Sequence, residues 1–110
     1  MAGYEGAFFD FSTPVILQWE EDAIRSAAST GNLDFSDHAV TQAIDRSISL
    51  KIVPGLVIHG TATDKDLPGN TDSHHPGIAF FGFENRRRGI LVKVGAVYTY
   101  LVVTLHDKRT

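Results

Sequence analysis

Phe35-Ser36-Asp37-His38-Ala39-Val40-Thr41-Gln42-Ala43-Ile44-Asp45-Arg46-Ser47-Ile48-Ser49 is the stretch around which the rest of the chain is organised. It reads as a helix capped by Ser36 or Asp37, because either side-chain oxygen can accept from the free N–H groups of a first turn. His38, Gln42 and Arg46 then stand four residues apart. That spacing slightly overshoots one turn, so the three polar groups form one stripe running roughly 12 Å along the axis. Ala39, Ala43 and Ile44, with Val40 at the flank, supply the apolar face expected to dock the helix.

Working outward, Ser49 is placed to cap a second short helix from Leu50 towards Ile58. Pro54-Gly55 interrupts it, so the helix is either irregular or starts again at Pro54, where proline suits a first turn. From His59 to Gly77 the composition is Gly, Thr, Asp, Asn, Ser and Pro, which reads as a long loop. Upstream, Ser12-Thr13-Pro14 reads as a helix start with Pro14 at the first helical position. Val15, Ile16, Trp19, Ala23 and Ile24 recur at helical spacing, with Glu20, Glu21, Asp22 and Arg25 facing solvent and the helix ending near Ser29 to Gly31. Adjacent acids on a helix point apart, and early acids favour its dipole, so this cluster reads as a solvated face and not as a carboxylate pair. Met1 to Phe11 is an arm that packs on the domain or on a second copy in a homodimer.

The last third changes character. Ile78 to Phe83 and Ile90 to Val94 read as strands joined by a turn from Glu84 to Gly89, and Val97 to Leu105 as a third strand. Short turns imply an antiparallel meander, and the upstream helices can cover one face of it. The expected architecture is therefore α+β, N-terminal helices on a curved C-terminal antiparallel sheet, in a single domain of 110 residues.

Bulk properties bound the function. A formal charge of −3 argues against a general nucleic-acid binder, so any such contact has to be local. No apolar run reaches the length of a membrane span, and no basic start followed by an apolar segment opens the chain, so a cytoplasmic protein is expected. Without cysteine there is no disulfide framework and no thiolate metal site. His59, His74, His75 and His106, with Asp64, Asp66 and Asp72, match no standard metal-ligand spacing, and no cofactor is expected.

Phe35, Ser36, His38, Ala39, Arg46, Ile48, Ser49, Val102, Val103 and Thr104 carry a resemblance. The chain from about Asp34 to His106 resembles the small bacterial family catalogued as domain of unknown function 4258. Its pattern is Phe-Ser/Thr-x-His-Ala-x-x-Arg, a second Arg four residues on, Gly-Ile-Ser, and a final strand ending Val-Val-Thr. Here Gln42 stands at the first Arg and Ser47 at the Gly. Such domains are grouped with the barnase, EndoU, colicin and RelE (BECR) superfamily of metal-independent ribonucleases, many of them toxins.

The resemblance implies an RNA substrate cleaved by attack of the 2′-OH on the adjacent phosphate, and a cognate inhibitor, an antitoxin or immunity protein, if the chain is a toxin. It makes His38 the first candidate for acid or base and Arg46 the phosphate clamp, since a guanidinium can hold two phosphate oxygens at once. Thr104 is placed to bind phosphate or orient His38. A second imidazole would come from His75 or from His106, which by period-two alternation shares a strand face with Thr104. Gln42 carries no charge, and Arg86, Arg87, Arg88 and Lys93 are the cations that can compensate. Each residue has a plainer explanation too: a first-turn surface histidine, an arginine at a helix C-terminus, a strand-forming threonine, a solvated basic turn. A catalytically degenerate module holding an acidic partner through that turn is the alternative.

Overall fold

A computed structural model describes residues 9–67, 76–86, 88–96 and 100–108, with Ala96, Thr104, Asp107 and Lys108 described by backbone alone. Among these residues three helices and five strands follow in the order α1 (Gln18–Ser29), β1 (Leu33–Phe35), α2 (Asp37–Asp45), a 3-10 turn (Leu50–Ile52), α3 (Val53–His59), β2 (Thr61–Asp66), β3 (Gly77–Glu84), β4 (Arg88–Ala96) and β5 (Tyr100–Lys108). The fold is α+β, as expected. The sheet order among the described residues is β1-β5-β4-β3-β2. The β2-β3-β4-β5 part is antiparallel, and β1 adds to the far edge parallel to β5, which makes the sheet mixed.

Register separates the two faces of the sheet. Ile78 lies opposite Val94 and Phe80 opposite Val92, which in turn faces Leu105. All five are fully buried and join Ile24, Val53 and Val57 in the core. The opposite face carries Phe81, Leu91 and His106 in one cross-strand row, and Ala79, Lys93 and Thr104 in the next. An extra residue at Val103, between the Lys93 and Val94 pairings, keeps Val102 on the core face. α3 packs on β3 and β4, α1 packs on α3, and α2 lies along β5. Phe9 is buried and Phe11 packs against the core, their rings edge to face at 5.7 Å, so the described part of the N-terminal arm folds onto the domain.

Several expectations need correction, and two of them have one cause. Residues 61–66 form an edge strand instead of belonging to a loop, and Glu20, expected in solvent, is 0% exposed. Lys65 faces the core beside Ile78, and its Nζ meets Glu20 Oε1 at 2.8 Å with both side chains buried. The carboxylate also accepts from the backbone N–H groups of Leu17 and Asp10, each at 2.8 Å, and Lys65 donates to the Val15 carbonyl at 3.0 Å. Both charges are thus paired and further hydrogen-bonded to backbone, which is the condition for tolerating them in an apolar interior.

The same contacts fix the start of α1. The Val15 carbonyl accepts from Lys65, and the helical ladder starts only after it. Glu20 reaches back to cap the helix at Leu17, so α1 begins at Gln18 and Pro14 sits in the preceding bend. The inward stripe becomes Glu20, Ile24, Ala27 and Ala28, one residue (about 100°) away from the expected one, and Val15 and Trp19 stay exposed. Arg25 also turns inward: Nε and Nη2 donate to the carbonyls of Val57 and Gly60 at 3.2 and 2.9 Å, capping α3. The helix from Leu50 is irregular in the way anticipated, a 3-10 turn capped by Ser49 followed by α3 with Pro54 in its first turn.

Candidate functional site

β1 is short, and that shapes the first candidate region. It pairs with β5 only as far as Phe35 and Val102, leaving the later edge of β5 without a strand partner among the described residues. The chain then turns into α2, which takes over that edge. Ser36 N–H donates to the Val102 carbonyl at 3.0 Å, and Ser36 Oγ donates to the Val103 carbonyl while accepting from Ala39 N–H. The cap is therefore Ser36, with Asp37 as the first helical residue.

Two turns on, Gln42 Oε1 accepts from Leu105 N–H at 2.8 Å. A helical side chain here stands in for the missing strand and satisfies a backbone donor of a buried residue. This also explains why an arginine would not serve at position 42, since a guanidinium has only donors and cannot accept from Leu105. Small Ala39 and Ala43 are buried and let the helix axis come close to β5. The close approach narrows the docked stripe, so Ile44, expected on it, is 74% exposed.

The Gln42 contact sets the polar stripe beside the part of β5 that carries Thr104 and His106. His38 and His106 are exposed and Arg46 is half-buried. Among the described residues, none of these three side chains makes a hydrogen bond or ion pair. Three expected substrate contacts are occupied instead. Gln42 holds β5, and Lys93 Nζ pairs with Asp66 at 2.6 Å across the sheet face. Arg88 donates to the carbonyls of Ser47 and Arg46, closing the C-terminus of α2, and lies 3.6 Å from Glu84.

The arginine turn is accordingly divided. Arg86 is exposed and Arg88 serves the fold, while Arg87 and His75 lie outside the described residues, as do His74 and Asp72. Asn85 and Arg86 both take left-handed backbone angles, φ 52° and 64°. Asparagine adopts these readily, whereas at Arg86 they cost roughly 1–2 kcal/mol. Among the described residues no three His, Cys, Asp or Glu side chains converge on a point where an ion would fit.

A second region was missed by the sequence reading. β2 starts at Thr61, opposite Phe81, so beyond Phe81 the edge of β3 away from β4 has no strand beside it among the described residues. α3 presses on β3 there, and a Cβ at Gly82 would lie 3.1 Å from the Leu56 side chain and carbonyl. The result is a cleft of about 570 Å³ lined by Lys51, Ile52, Leu56, His59, Phe81 and Phe83, among others. The signal for it was faint: two aromatics flanking a glycine, which period-two alternation puts on the face away from the core.

Compared with models of protein families, with curated proteins and with solved structures, the chain matches none.

Proposed function

We propose that this chain is a metal-independent endoribonuclease-like domain acting at the seam between α2 and β5. The reading is carried by the Gln42–Leu105 hydrogen bond, which fastens the His38-Gln42-Arg46 stripe alongside the strand bearing Thr104 and His106. It draws further support from exposed imidazoles on both sides of the seam and from a guanidinium with no partner among the described residues.

The chemistry needs a base for the ribose 2′-OH, a cation for the charge that builds on the phosphate, and an acid for the leaving oxygen. One of His38 and His106 takes the 2′ proton. The 2′-oxygen forms its bond to phosphorus, the bond from phosphorus to the 5′-oxygen breaks, and the other imidazole protonates that oxygen. A 2′,3′-cyclic phosphate and a 5′-hydroxyl result, with Arg46 holding the non-bridging oxygens. The ribose 2′-hydroxyl supplies the attacking electron pair and its proton, the breaking bond supplies the pair on the 5′-oxygen, and the two imidazoles take up and give back the protons, so the scheme balances without a cofactor.

The test is incubation of the purified chain with total bacterial RNA in excess chelator, beside His38→Ala, His106→Ala and Arg46→Ala. Cleavage that survives chelation and falls by about 10²–10⁴-fold in either histidine variant is the expected result, the usual loss when a general acid or base is removed. No cleavage by the folded natural chain would sink the reading. It would leave the second one, a binding module for an acidic partner. That reading is favoured by the internal use of Gln42, Arg88 and Lys93, which among the described residues leaves Arg86 as the exposed cation of the turn.

A further inference from the structure

The cleft beside β3 has a composition that the packing of the fold does not require. Phe81 and Phe83 meet edge to face with ring centroids 5.0 Å apart, yet Phe83 remains 60% exposed. Its cross-strand neighbour is Gly89, so no side chain stands directly opposite that ring on β4. Across the cleft stand Lys51 and His59, both exposed and, among the described residues, without a side-chain hydrogen bond or ion pair. The carboxylate in the lining, Glu84, is already beside Arg88. What is left over is an open aromatic face and unneutralised positive charge in a cavity of about 570 Å³, within the range of small-ligand sites.

A flat π-system joined to an anion satisfies both features at once. We propose that this cleft binds one nucleotide of a single-stranded RNA, its base stacked on Phe83 and its phosphate held by Lys51 and His59. The inference rests on the RNA reading above and names a subsite for it. Phe81, Leu91 and His106 form one row across the open face, so the cleft stands two strands from His106. Two strand spacings are roughly 10 Å, a distance that a short run of nucleotides spans. A strand anchored in the cleft is thereby led over the sheet to the seam.

The test uses the full chain and a fluorescein-labelled adenosine decamer methylated at every 2′ oxygen, which cannot be cleaved by 2′ attack. Fluorescence anisotropy should report binding that Phe83→Leu weakens about tenfold, as expected for loss of one base–aromatic stack. Its salt dependence should be unchanged. Lys51→Glu should weaken binding and lower the log–log salt slope by about one, as expected for loss of one phosphate contact. No binding at millimolar decamer, or affinities indifferent to both substitutions, would overturn the inference. So would equal binding of a polyglutamate peptide of the same length, which would assign the cleft to acidic proteins.

If Phe83→Leu failed to fold, Lys51→Glu, at an exposed position of the 3-10 turn, would decide alone. Phe83-dependent binding without cleavage of unmethylated RNA would remove the ribonuclease reading and leave this one standing. Cleavage indifferent to both variants would do the opposite.

Discussion

The two ends of the sheet are fastened to their helices by polar side chains, but by different physics. At the β2 end, Glu20 of α1 meets Lys65 in a fully buried charge pair. At the β5 end, the neutral amide of Gln42 accepts a backbone N–H. The charged fastener carries a large desolvation cost that is offset only while every partner is present. The neutral one involves a single donor. Polar residues that looked like solvated charge or active-site chemistry are structural at both ends. Among the described residues, the candidate groups that the fold does not consume are His38, Arg46 and His106 by the seam of α2 and β5, Arg86 in the β3–β4 turn, and Lys51, His59 and Phe83 at the cleft.

Breaking the charged fastener should have the largest effect. Glu20→Ala strands the buried Lys65 ammonium and two backbone donors, and should lower stability by about 3–5 kcal/mol in urea unfolding, as for other buried pairs that lose one partner. The double variant Glu20→Leu/Lys65→Met should recover only part of that loss, because the N–H groups of Asp10 and Leu17 still lack their acceptor. Equal stability of the single variant and the natural chain would show that the pair is not closed to solvent.

Breaking the neutral fastener should cost less. Gln42→Arg should lower stability by roughly 1–3 kcal/mol, the desolvation cost of one unsatisfied buried donor. Gln42→Glu keeps an acceptor for Leu105 and should lie close to the natural chain. If instead Gln42→Arg is as stable as Gln42→Glu and raises RNA cleavage, residue 42 is a substrate contact and the structural account of it fails.

The smallest effects are in pH. Burial pushes the Tyr100 phenol above its ordinary pKa, at the end of β5 that carries β1. Its contribution to stability is full below the pKa of the unfolded chain and is lost as pH rises through the folded value, so the β5 end should loosen first in alkali. Near the other end, hydrogen bonds from the Ser12 hydroxyl and N–H, with a smaller share from Lys65, hold the Asp10 carboxyl below its ordinary value. Its contribution is present above the unfolded pKa and disappears as pH falls through the folded one. Amide exchange at acid and alkaline pH would check both directions, and alkaline loosening that starts at β2 would contradict the assignment.

Where apolar periodicity and cap chemistry agree, the sequence was a sufficient guide. Ser36 and Ser49 cap as their hydroxyls suggest. The alternation of Ile78, Phe80, Ile90 and Val92 reports the buried face of the meander. β2 was illegible because its inward position holds a lysine, and an edge strand with polar alternation resembles a loop in composition. The start of α1 was illegible for the same reason, since nothing local says that the carbonyl of Val15 is taken by a residue fifty positions away. The fate of the arginine turn was hidden as well: Arg88 caps α2 across 41 residues of chain.

The sequence by itself determined the α+β class, the presence of α2, the three long strands and the His38-Gln42-Arg46 stripe, because these depend on neighbours three or four positions away or on alternation by two. Only the tertiary structure decided which polar groups are consumed. Glu20, Gln42, Arg25, Arg88 and Lys93 find partners brought to them by packing, and a buried donor or charge is satisfied by whatever the fold places within hydrogen-bonding distance. The cleft at Phe83 was decided in the same way, by where β2 happens to start.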